Sequence, residues 1–181
     1  MTRLRIFTET DPTRATTDTR DGALITELLG RHGVRFERWS TPVQLAPGAS
    51  QDEVIAAYRT DIDRLMAEGG YQAVDVVSLS PEHPDRATFR EKFLNEHCHA
   101  EDEVRFFVAG AGLFTLHLDD LVFEVLCEQG DLIGVPDNTR HWFDMGPNPF
   151  FIAIRLFTNA SGWVANFTGT DIALQFPRLE N

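Results

Sequence analysis

The chain is short of cysteine and of positive charge. Its 181 residues hold two cysteines, and 16 lysine and arginine residues stand against 28 aspartate and glutamate, for a formal net charge of −12 and a pI near 4.8. Cys98 and Cys127 make neither a disulfide framework nor a CxxC pair, which fits a reducing compartment, and both read as inert core residues. No cluster of lysine and arginine offers a surface to nucleic acid or to an anionic membrane. No apolar run reaches the ~18 residues of a membrane span, and MTRLRIFTET lacks the apolar core of a signal peptide. The expectation is a cytoplasmic protein without a nucleic-acid or membrane partner. Repeats, low-complexity tracts and obvious linkers are missing too, so a single domain over residues 1–181 is expected.

What is present is an ordinary globular composition, 43% hydrophobic and 24% charged, on a chain long enough to bury a core. Its character changes along the length. Residues 1–95 read as mixed α/β. RLRIF and VRFERW are short strands, with a helix around GALITELLG between them. Ser50 and Glu53 have capping-box spacing, and Val54, Tyr58, Ile62, Leu65 and Met66 then share one helical face ending at Gly69 and Gly70. YQAVDVVSLS reads as a strand and RATFREKFLN as a helix. Residues 96–158 hold short strands parted by glycine, proline and asparagine, the pattern of a sandwich or barrel. The segment 159–181 is expected to pack back through Trp163 and Phe167.

The chemistry concentrates in NEHCHAEDEVRFFVAG, residues 95–110. Alternate side chains of a strand share a face, so His97 pairs with His99, and Glu103 with Arg105 and Phe107. Two imidazoles and a carboxylate at H-x-H-x3-E spacing can close on one metal, and His141, just past the turn at Pro136 to Asn138, is the candidate third imidazole. Such a donor set suits iron, nickel, manganese or zinc, and four protein ligands on an octahedral ion leave two positions for a bidentate small molecule. Cys98 points to the opposite face and is excluded. Arg105 on the ligand face suits an enolate or carboxylate, unless it pairs with Glu96, Glu101, Asp102 or Asp144. Phe107, Phe143 and Met145 share ligand parity and are either a pocket wall or core. His32, His83 and His117 read as structural or exposed.

Two spacings resemble the motifs of the cupin superfamily: H-x-H-x3-E-x6-G, from His97 to Gly110, and G-x5-P-x4-H, from Gly130 to His141. Asn138 stands where the second motif usually has glycine. KFLNEHCHAEDEVRFFVAGAGLFTLH and GDLIGVPDNTRHWFDMG, in particular EVRFFV and HWFDMG, resemble the acireductone dioxygenase family. The resemblance implies a mainly β fold, a cupin-type double-stranded β-helix or jelly-roll barrel, with an α/β N-terminal elaboration. It implies His97, His99, Glu103 and His141 as ligands of one Fe(2+) or Ni(2+) per chain, and Arg105 as the partner of a substrate dianion. Weaker carry-overs are Glu96, for metal incorporation, and Asp102, as a conformational relay; Phe107 and Phe143 are candidates for substrate contact. The implied partners are a small-molecule acireductone and O2, with the chain acting as a monomer. A cupin isomerase, a dioxygenase with another substrate, and a non-enzymatic ligand-binding cupin are the competing readings.

Overall fold

In chain order, β1 (Arg3–Thr8) and β2 (Thr17–Thr19) form a hairpin, followed by α1 (Gly22–Gly30), β3 (Arg35–Arg38), α2 (Gln51–Ala57), α3 (Arg59–Gly69), β4 (Ala73–Leu79) and α4 (Arg86–Leu94). Then come β5 (His97–Cys98), β6 (Glu103–Leu118), β7 (Leu121–Glu128), β8 (Asp131–Val135), β9 (Arg140–Asp144), β10 (Phe151–Phe157), β11 (Asn166–Phe167) and a 3-10 turn, Ile172–Leu174. This is a computed structural model that describes residues 1–159 and 164–180. No helix among the described residues is long and apolar enough to cross a membrane.

Strand β6 organises the rest. Its first half pairs antiparallel with β8 and β10, and its second half with β7 and β9. EVRFFVAG and GLFTLHL, expected as two strands, are thus one of 16 residues, bent rather than broken at the glycines. Gly110 sits at φ +65°, and a Cβ there would lie 1.7 Å from the Phe150 carbonyl oxygen. Only glycine accommodates both constraints. The bend carries β6 from one sheet layer to the other, and the main strand path β11-β5-β9-β6-β7-β1-β2 remains open rather than closing into a ring.

Between the layers lies a core that includes Phe107, Phe114, Ile133, Phe143, Met145 and Phe151. The helices cover the outside: Val54, Tyr58, Ile62 and Leu65 pack on Val104, Phe106, Ile152 and Ile154, as their 3.6-residue period requires. The capping box is present at Ser50 and Glu53, and Gly70, at φ +68°, ends the run. The helix expected across 51–69 is split at Tyr58, whose hydroxyl donates to the Val43 carbonyl at 2.8 Å while its ring packs edge-on against Phe106.

The tail packs back through Phe167, which pairs with His97 by way of β11, and also at a place the expectation did not name. Ala173 and Phe176 join Phe7, Val122 and Trp142 in a third apolar cluster, whereas Phe167 is 54% exposed and Trp163 lies outside the described residues.

Candidate metal centre

His97 on β5 and His141 on β9 are direct register partners. Strand β5 lasts only two residues, so His99 lies in the loop that follows, turned back by a hydrogen bond from Asn138 N to its carbonyl at 2.7 Å. Asn138 takes φ +54°, the left-handed backbone for which glycine is the usual choice and asparagine a tolerated substitute. The coordinating atoms of the three buried histidines lie within 4.8 Å of one another.

Each imidazole is oriented from behind. Nδ1 of His97 lies 2.7 Å from the Asn95 carbonyl, that of His99 3.0 Å from Val164, and that of His141 2.8 Å from Thr139. A carbonyl only accepts, so each Nδ1 carries the proton and each Nε2 keeps its lone pair. Phe114 stacks on the His141 ring at 5.3 Å. Burial lowers the pKa of His97 to about 4 and that of His141 to about 3, so both are neutral at pH 7.

Glu103 completes the cluster. Burial opposes its charge, yet the guanidinium groups of Arg105 and Arg155, above all, hold its carboxyl at about 2. Its Oε1 accepts from Arg105 Nε at 2.7 Å. Its Oε2 stands 3.4 Å from His99 Nε2 and 3.9 Å from His141 Nε2. Glu103 Oε2, His99 Nε2 and His141 Nε2 are all buried without a hydrogen-bond partner, and three orphaned acceptors together are costly unless a cation satisfies them. An N3O set of this kind fits a divalent transition metal.

Beside the donors is a pocket of about 190 Å³. Arg105 and Arg155 supply its positive side, His97 and His99 its metal side, and Phe93, Val164, Ala165 and Phe167 its apolar walls. The chain's one lysine, Lys92, lines it too.

The sequence matches the ARD/ARD' family model over residues 3–165. The chain belongs to the ARD/ARD' family. It is 61% identical over 178 residues to an acireductone dioxygenase of Stenotrophomonas maltophilia, covering 98% of this chain and 96% of that one. It is 66% identical over 157 residues to one of Pseudomonas savastanoi pv. phaseolicola, covering 87% of each. An acireductone dioxygenase from Bacillus anthracis, solved with a cadmium ion in its active centre, superposes with a TM-score of 0.80 at 33% identity, over 92% of this chain and 98% of that one. The open jelly roll is accordingly the cupin fold of the family.

The other expected residues fall at varied distances from the donors. Arg105 is buried, with its guanidinium over the rings of Phe114 and Phe143, 4.8 and 5.0 Å from their centroids. Its ion pair is with Glu103, not with the four acids considered from sequence. Those are otherwise engaged: Glu96 with His117 at 2.6 Å, Glu101 with the Thr158 hydroxyl, Asp102 with Asp137 N at 2.8 Å, and Asp144 with Arg90. Glu96 also accepts from Thr168 and Thr170, tying the segment that bears Val164 beside β5. Asp102 ties the His99 loop to the turn before His141. Phe107 and Phe143 lie a layer deeper, in the core, 6.2 Å apart, with Phe143 backing Phe93.

Sequence reasoning missed Arg155, Phe93, Lys92 and Val164. Arg155 left a signal, an arginine inside the apolar run FFIAIRLF. It is the register partner of Arg105 and is held by Asp75 at 2.8 and 2.6 Å.

Proposed function

We propose that the chain is an acireductone dioxygenase holding iron(II) or nickel(II) on His97, His99, His141 and Glu103. The observation that carries this reading is the convergence of buried, unpartnered Nε2 and Oε2 atoms beside the buried Arg105 and the partly buried Arg155. The names of its relatives and the family resemblance support 1,2-dihydroxy-5-(methylthio)pent-1-en-3-one as substrate, with dioxygen. The iron form would give formate and 4-methylthio-2-oxobutanoate; the nickel form would give carbon monoxide, formate and 3-(methylthio)propanoate.

When bound, the metal supplies Lewis-acid neutralisation of a vicinal enediolate and directs its reaction with dioxygen. The chain's own residues do the rest. Arg105 and Arg155 present positive charge where the dianion must sit, on the inner side of a mainly apolar pocket, where such charges act more strongly than in bulk water. Asp75 offsets Arg155, and Glu103 offsets Arg105, so the empty pocket is not left with two bare cations. The protonated Nδ1 atoms, held by backbone carbonyls, keep the imidazoles neutral and aimed. Phe93, Val164 and Ala165 offer apolar contact for the methylthio tail.

All the donors belong to one chain, which supports a monomer as the working unit. The two free cysteines support a cytoplasmic location. The test is oxygen uptake by iron-loaded and nickel-loaded protein given the enediol anaerobically and then exposed to air. Metal-dependent uptake, with carbon monoxide from the nickel form alone, is expected; uptake no faster than the substrate's own autoxidation at full metal occupancy would overturn the reading.

A further inference from the structure

A second cavity, of about 120 Å³, lies between β1, β6, β7 and the C-terminal tail. Arg3, Arg5, Glu124 and Arg178 give it polar walls, and Leu113 and Leu126 are among its apolar ones. Register puts Arg5 opposite Glu124 and Glu124 opposite Thr115, so a polar row crosses this sheet face and the tail lies against it. Parity assigns His141 and Phe143 to one face of β9 and Asp144 to the other, the face that Arg90 and the tail approach.

The charges here do not cancel. Arg3 is held by both oxygens of Asp18, at 2.7 and 2.5 Å. Asp144, the acid nearest in effect to Arg178, is bound by Arg90 at 2.7 and 2.9 Å and by Leu179 N at 3.0 Å. Arg178 Nη1 is left buried with no hydrogen-bond partner. The Glu124 side chain is 1% exposed, and Arg5 Nη2 reaches its Oε2 at 2.5 Å, yet neither carboxylate oxygen has a hydrogen bond of good geometry. Burial raises the Glu124 pKa to about 7 despite Arg5. Arg178 is thus the cation of this cavity without a counter-ion, while Arg5 stands on the same wall against Glu124.

Two arginines, one of them with an unpartnered buried nitrogen, and a pair of leucines around a small void describe the complement of one ligand class. We propose that this cavity binds a small aliphatic monocarboxylate, its oxygens shared by Arg178 and Arg5 and its short tail between Leu113 and Leu126. The site is separate from the metal pocket, with which it shares no lining residue. The tail also touches the helix that serves that pocket, since Arg90 on α4 donates to the Leu179 carbonyl at 3.3 Å.

The probe is sodium butanoate titrated into the full chain at about pH 6, where protonated Glu124 is favoured, followed by amide chemical shifts. Saturable shifts are expected at Leu113, Leu126 and Leu179. Arg178→Gln should weaken binding by about tenfold or more, the effect of losing a charge-assisted hydrogen bond. Glu124→Gln keeps a neutral donor and should still bind. Lys92→Gln, on the rim of the other pocket, should leave these shifts unchanged, and butylamine, with the same tail and opposite charge, should cause none. Absence of saturable shifts in the unaltered chain would overturn the proposal, as would binding that survives Arg178→Gln undiminished or is lost in Lys92→Gln.

Discussion

Arg105 Nε donates to Glu103 Oε1 across 2.7 Å, leaving Oε2 unbonded 3.4 Å from His99 Nε2. One carboxylate is thereby divided: one oxygen restrains the arginine, and the other is left free to serve the proposed donor set. Removing the arginine should therefore have different consequences with and without metal.

In the metal-free chain, Arg105→Ala leaves a buried carboxylate unpaired and should cost about 3–5 kcal/mol, read from urea unfolding. Metal binding should recover much of that loss. Turnover of the metal-loaded variant should still fall by about a hundredfold or more, the scale seen when one preorganised charge-stabilising group is lost. Full turnover with bound metal would remove Arg105 from the reaction.

Asn138 separates backbone conformation from side-chain chemistry. At φ +54°, Asn138→Ala should cost about 1–2 kcal/mol, while Asn138→Gly should stay close to the original in chemical denaturation. Equal losses in both variants would mean that the side chain, not the left-handed backbone, is what matters.

The two motifs were legible because their chemistry is local: spacing sets His97, His99 and Glu103 close along the chain, and strand parity joins Glu103 to Arg105, before any fold is known. The Ser50 cap and the apolar period after it were legible for the same reason. The continuity of β6 was hidden because Gly110 and Gly112 read as a turn, and only packing against Phe150 shows them as a bend. The Val164 carbonyl behind His99 and the pairing of Arg155 with Arg105 join residues far apart in sequence, which periodicity does not encode. His117, read as structural or exposed, is buried, and its partner Glu96 could not be found from parity.

Acid should weaken the metal-free fold through His97 and His141. Their folded pKa values, about 4 and about 3, lie below the ordinary 6.5, so as pH falls below 6.5 the unfolded chain takes up protons first. Stability is thus fully present above pH 6.5 and is lost as pH falls toward those folded values, at a limiting slope of about 2.7 kcal/mol per pH unit for two groups. Urea midpoints at pH 7 and pH 5 measure it, and His141→Gln should flatten the difference. An unchanged slope in that variant would show that other groups carry the acid sensitivity.

Glu124 acts in the opposite direction. Its folded pKa, about 7, exceeds its ordinary 4.5, so the folded state holds a proton that the unfolded chain has lost between those values. Stability therefore declines as pH rises from about 4.5 to 7, by up to about 3 kcal/mol. Relative to the unaltered chain, Glu124→Gln should gain stability progressively over that window. A difference curve that stays level with pH would place Glu124 as ionised throughout.

Metal binding to the four-residue donor set tests the account most directly. Calorimetric titration of the metal-free chain with nickel(II) should give one ion per chain. Glu103→Gln and His141→Ala should each weaken that binding by about a hundredfold, while Arg105→Gln retains the stoichiometry. Undiminished affinity in Glu103→Gln and His141→Ala, with both variants folded, would put the metal elsewhere and contradict the site described.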